Sequence, residues 1–120
     1  MSQADDLQVR TTAFAIEVVR FCRTIPSELV TQRIKSQLIS AATSVGANYR
    51  AARRARSHAE FTAKIGVVAE EADESEYWLI LVLALSLGSS EAAASLHNES
   101  VELMKIFGKS AGTARANRAG

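Results

Sequence analysis

Apolar residues recur along this chain at intervals of three and four, the spacing that lines one face of an α-helix. Between Leu7 and Thr24 the stripe is Phe14, Val18 and Phe21, followed by Ile25. Pro26 disfavours helix at the residue before it, and Ser27 can cap the second helix. The second stripe runs Ile34, Leu38, Ala41, Val45, Asn48. Its polar member, Asn48, needs partners if buried; neighbouring backbone or an ion pair across the bundle would supply them, with a ligand contact as the alternative. The sequence "SHAE" at Ser57 to Glu60 reads as a capping box, in which serine and glutamate satisfy each other's backbone amides. It predicts that the second helix ends near Ala55 and the third starts near His58. The third stripe is Phe61, Ile65, Val68, Ala72, Ser75, Leu79, Val82. Gly88 then stops the helix, and Ser89 or Ser90 caps a fourth. That helix carries Leu96, Leu103 and Phe107, and the last ten residues, 111–120, show no apolar pattern and are expected to form a flexible tail.

Four amphipathic helices joined by short connections predict one all-α domain over 1–110, an up-down-up-down left-handed four-helix bundle. The third helix is expected to be the longest, at about 30 residues or roughly 45 Å.

One segment breaks the single-stripe pattern. "YWLILVLAL", Tyr77 to Leu85, is nine consecutive apolar residues, so every face of the helix is apolar there, whereas a bundle helix needs one stripe. Leu79, Val82 and Leu83 can face the core. Among Trp78, Ile80, Leu81 and Leu85, several must then point outward, where a partner copy would cover them. This predicts a homo-oligomer. The alternative is a helix covered by its own chain.

Composition agrees with this outline: 48% of the 120 residues are hydrophobic and 22% charged, with six glycines and one proline, a balance that favours helix. Cys22 is the single cysteine, so no intrachain disulfide forms, and its place in an amphipathic pattern marks it as a small core hydrophobe. The polar, acidic N-terminus is unlike a signal peptide and no run approaches a membrane span. A cytoplasmic protein without membrane contact is the expectation.

The net charge of +1 implies no polyanion partner by bulk electrostatics, so clusters carry the argument. Five acids crowd 70–76: Glu70, Glu71, Asp73, Glu74 and Glu76. Neither His58 nor His97 has a glutamate three residues before it, as a di-iron bundle site would, and no metal or other cofactor is expected. In an antiparallel bundle Arg20, Arg23 and Lys105 stand at the height of Asp73 and are the expected ion-pair partners of the acids. Arg50, Arg53, Arg54 and Arg56 fall within seven residues, with Asp5, Asp6 and Glu60 as the acids within reach. They read as cations at a helix C-terminus, as partners for acids of another subunit, or as phosphate contacts to RNA or DNA. Tyr49 is the one aromatic among them that could stack on a base.

The segments "SQLISAATSVGANYRAARRARSHAEF" and "EEADESEYWL" resemble the four-helix-bundle proteins first known from intervening sequences in bacterial 23S rRNA genes. The resemblance covers about Phe14 to Phe107 and rests on Ser44, Val45, Gly46, Ala47 and Asn48, then Ser57, Glu60 and Phe61. Arg50, Ala51 and Ala52 stand where many members carry Ala-Glu-Gly, so no role of that acid is carried over. The resemblance implies the same bundle, a homopentamer, and no assigned catalytic activity. The chain is also similar to the accessory proteins of diversity-generating retroelements, basic pentamers that bind nucleic acid and a reverse transcriptase.

Together these features point to a non-enzymatic, self-assembling bundle that contacts RNA or DNA through Arg50, Arg53, Arg54 and Arg56. A purely structural protein-interaction scaffold, using apolar surface at Trp78 or Leu81, is the alternative. A third reading is a ribonuclease with Arg53 and His58 as its catalytic pair, four residues lying between them. Histidine would move the proton and arginine would stabilise phosphorane charge.

Overall fold

The computed structural model describes residues 1–117. Four helices occur in the order α1 (Gln3–Arg23), α2 (Leu29–Arg53), α3 (His58–Ala84) and α4 (Ser90–Ala116). Each start has a local cause. Ser2 and Asp5 exchange side-chain and backbone bonds at the head of α1. At α2 the cap is Glu28 rather than Ser27; the buried Thr31 hydroxyl accepts the Glu28 amide and donates to the Pro26 carbonyl, each at 2.8 Å. Ser27 instead meets the Lys35 ammonium at 3.2 Å. Ser57 caps α3 by accepting the Glu60 amide at 3.0 Å. The Glu60 carboxylate turns to the Arg56 amide, so half of the expected capping box forms. Ser89 caps α4 through the Ala92 amide.

The stripes read from the sequence form the core. Phe14, Val18, Phe21 and Ile25 meet Ile34, Leu38 and Val45, then Ile65, Val68, Ala72, Leu79 and Val82, then Leu96, Leu103 and Phe107. Phe61 and Asn48 are half-buried, and Asn48 donates to the Ser44 carbonyl at 2.9 Å, the backbone partner expected for it. Buried Ser75 and Ser100 donate to carbonyls one turn back, Glu71 at 2.8 Å and His97 at 2.7 Å. Burial pushes the Cys22 thiol up to about 11, consistent with an inert core position.

The helices close as a square. Each packs against its neighbours in the chain and α4 returns to α1. Across the diagonals the described backbones stay apart, and α2 and α4 meet only through long side chains such as Tyr49 on Phe107. Antiparallel packing therefore gathers the start of α1, the end of α2, the start of α3 and the end of α4 at one end of a molecule 50 × 27 × 19 Å in extent.

Two expectations about length change. α3 has 27 residues, and α4 equals it. The expected tail from 111 does not begin there: α4 continues to Ala116, with Ala111 and Ala114 buried. They extend the Leu103–Phe107 stripe at helical spacing, and their small side chains hid the pattern. The remainder of that predicted tail, 118–120, lies outside the described residues.

At the other end, α3 stops differently from the sequence reading. Ser86, not Gly88, is the first left-handed residue (φ 54°). The Leu87 amide bonds the Val82 carbonyl at 3.0 Å and the Ser86 amide bonds Leu83 at 3.2 Å, the paired bonds of a Schellman ending. Gly88 comes next but one, at φ 66°, where a Cβ would lie 3.1 Å from the Phe21 ring. Serine is strained in this conformation by roughly 1–2 kcal/mol. Ser86→Gly is expected to raise Tm by about 2–5 °C, and Gly88→Ala to lower it, both read from thermal melts followed by circular dichroism.

Candidate functional site

The Arg cluster splits on folding. Arg53 faces α1: its guanidinium meets Asp5 at 2.9 Å and the Gln8 amide oxygen at 2.7 Å. That contact, with help from Ser2, holds the Asp5 carboxyl below the usual carboxylate range. Arg53 is thus a strut between α2 and α1 rather than an open cation. Arg56 lies 3.8 Å from Glu60, with its side chain 91% exposed. Arg50 and Arg54 are exposed and have no ion-pair or hydrogen-bond partner among the described residues.

Folding adds cations that sequence order kept apart. The His58 imidazole donates from Nε2 to the Ala114 carbonyl at 2.9 Å, fixing the end of α4 beside the start of α3. Lys109 and Arg115, both exposed on the last turns of α4, therefore join Arg50, Arg54 and Arg56 at the same end. Of the acids there, Asp5 is engaged by Arg53 and Glu60 by Arg56, and Asp6 is exposed. Tyr49 drops out as a stacking surface: it is 6% exposed and its ring packs on Phe107, centroids 5.1 Å apart. A cleft of about 600 Å³ opens between α3 and α4 at this end, lined by His58, Phe61, Ile106, Lys109, Thr113 and Asn117. Sequence reading missed it because its α4 wall lay at and beyond the expected end of the bundle.

The Arg53–His58 pair does not converge. Arg53 is bonded to α1 and His58 to the α4 backbone, so the two offer no common reaction centre.

The acids sit elsewhere than expected. Arg20 pairs with Glu17 on its own helix at 2.8 Å, and Arg23 has no ion-pair partner among the described residues. The expected network linking Glu70, Glu71, Asp73 and Glu74 to Arg20 and Arg23 does not form. α1 and α3 occupy opposite corners of the square, and the Glu76–His97 and Arg10–Glu99 contacts place Arg10, not Arg20 or Arg23, nearest the height of the acids. Glu76 instead faces His97 on α4 at 3.4 Å, and Glu70, Asp73 and Glu74 are exposed. The helix-to-helix ion pair that sequence reading missed is Arg10–Glu99, two bonds of 2.7 Å between α1 and α4. Burial pushes the Glu71 carboxyl up, reinforced by Glu74 and eased by a hydrogen bond from Ser44.

The apolar run is covered in part by its own chain. Leu79 and Val82 are buried, while Trp78 and Leu83 pack half-buried against the core. Leu81 is half-buried as well. Tyr77, Ile80 and Leu85 are 53%, 46% and 52% exposed. Of Trp78, Ile80, Leu81 and Leu85, several of which the sequence predicts to point outward, Ile80 and Leu85 are exposed and Trp78 and Leu81 are half-buried. The Trp78 indole N–H is enclosed without an acceptor among the described residues. Starting from the Glu71–Ser44 contact, two heptads along each antiparallel helix bring Leu85 to the height of Val30, itself 62% exposed. The open apolar surface thus lies near the end opposite the cations.

The fold and its surface define an all-α four-helix bundle with a basic end and a partly uncovered apolar belt. Residues 5–109 match the 23S rRNA-intervening sequence protein family, and the chain belongs to that family. Its fold is similar to the crystal structure of a protein of unknown function from the S23 ribosomal protein family of Bacteroides thetaiotaomicron, with 31% identity over 83% of this chain and 93% of that one and a TM-score of 0.72. A search of curated proteins finds no match. No described helix is long and apolar enough to cross a membrane.

Because the folded-state pKa of Glu71 is raised, its ionised form costs stability at neutral pH. The benefit of protonation is complete below its ordinary value of 4.5 and fades as pH rises through the raised one. Glu71→Gln is therefore expected to raise Tm slightly at pH 7, with the gain vanishing near pH 4; melts at the two pH values check the sign.

Proposed function

We propose that this chain is a non-enzymatic, self-assembling bundle that contacts the phosphates of RNA or DNA through its basic end. The observation that supports the reading is the convergence of Arg50, Arg54, Arg56, Lys109 and Arg115 at one end of the molecule. There Asp5 pairs with Arg53, Glu60 lies 3.8 Å from Arg56, and Asp6 is the one further exposed acid on the first turn of α1. A net charge of +1 is no obstacle, because the exposed acids Glu70, Asp73 and Glu74 lie farther along α3. Arg53 belongs to the scaffold of this surface. Self-assembly would use Tyr77, Ile80 and Leu85, with Trp78 and Leu81 beneath them. Copies joined through that belt would present several basic ends at once, multiplying a modest single-site affinity.

Binding of a fluorescent oligonucleotide, followed by anisotropy across a salt series, tests the first part. Affinity is expected to fall steeply with salt, and Arg50→Ala, Arg54→Ala and Arg56→Ala combined to flatten the slope by about 2. An unchanged slope in a folded variant overturns it. Light scattering tests the second part: the wild type is expected to exceed the monomer mass, and Ile80→Glu with Leu85→Glu to reduce it to the monomer. A wild type that stays monomeric rejects the belt as an interface.

A further inference from the structure

The cleft at the basic end combines features that a phosphate-binding surface alone does not need. Its floor is apolar, formed by half-buried Phe61 and Ile106. Around it stand Gln3, Thr113 and Asn117, whose side chains make no hydrogen bond among the described residues. Lys109 supplies a cation at the wall. His58 forms another part of the wall and is held in place by the Ala114 carbonyl. The Arg54–Arg56 loop leads directly into the Ser57 cap of α3, so phosphate-binding groups adjoin the mouth.

We propose that this cleft receives one unpaired base of a single-stranded nucleic acid, with Phe61 as its apolar contact and Arg54 and Arg56 on the flanking phosphates. This rests on the basic-end reading and narrows it to single strands. A base inside a duplex is stacked and paired and cannot enter such a cleft without being extruded, whereas an unpaired base offers an apolar face to Phe61 and Ile106 and polar edges to Gln3, Thr113 and Asn117. The volume of about 600 Å³ accommodates one base with its sugar. Cations next to an apolar floor with exposed polar side chains that make no bond among the described residues match the chemistry of a nucleotide, whose phosphate, base face and base edge require one of each.

The test is anisotropy with fluorescein-labelled oligothymidine and oligouridine of about twelve nucleotides, an abasic strand of the same length, and a blunt duplex. The intact single strand is expected to bind about tenfold more tightly than the abasic one. Phe61→Leu, which keeps an apolar side chain but removes the ring, is expected to abolish most of that preference while leaving abasic binding unchanged. Thr113→Leu narrows the cleft from an exposed position, so it reports even if Phe61→Leu proves unstable, and it should act likewise. A preference shown by the DNA strand, the RNA strand or both upholds the cleft and identifies the sugar it accepts. Equal affinity for intact and abasic strands, duplex binding as tight as single-strand binding, or a preference that survives both variants overturns it. In those cases salt-dependent binding weakened by Arg54→Ala and Arg56→Ala leaves the basic-end reading standing; no binding of any strand removes both.

Discussion

Burial of one apolar stripe from each of four antiparallel helices forces a square, and the square decides which charges can meet. α1 and α3 stand at opposite corners, so arginines on one cannot reach acids on the other, whatever their height along the axis. Neighbouring corners do meet: Arg53 reaches Asp5, and Arg10 grips Glu99 with two bonds. These pairs help dock α1, whose contact with α4 is the thinnest of the four seams. Partly exposed ion pairs add little stability, so the apolar stripes hold the fold and the pairs set the seating of its first helix.

The same antiparallel closure polarises the molecule. Chain ends that are distant in sequence share one end of the bundle, tied by the His58–Ala114 contact. Their cations accumulate there, while the acidic face of α3 lies further along. Segregation of this kind creates a local field that net charge conceals. It also moves the arginine cluster from a property of one loop to a property of that loop together with the end of α4.

The apolar belt illustrates the limit of counting hydrophobic residues. Nine in a row cannot all lie on one stripe, and the structure hides some of the excess by letting Trp78 and Leu83 settle into the edges of the core, with Leu81 half-buried. What remains open, Tyr77, Ile80 and Leu85, is smaller than the run suggested. Trp78, with its indole N–H enclosed and unpaired among the described residues, carries an unmet polar cost.

Sequence alone determined the helices, their core stripes and most of their ends. Those depend on local chemistry: periodic burial, Ser57 and Ser89 as caps, a break at Pro26. It also revealed the resemblance that the family match bears out. It could not tell that Arg53 is a strut while Arg54 is open, that Tyr49 is buried while Phe61 lines a cleft, or that alanines at 111 and 114 continue the core. Those distinctions depend on which helices are neighbours and which are diagonal. A single helix's periodicity names its buried face but not the partner across from it, and only tertiary packing assigns that partner.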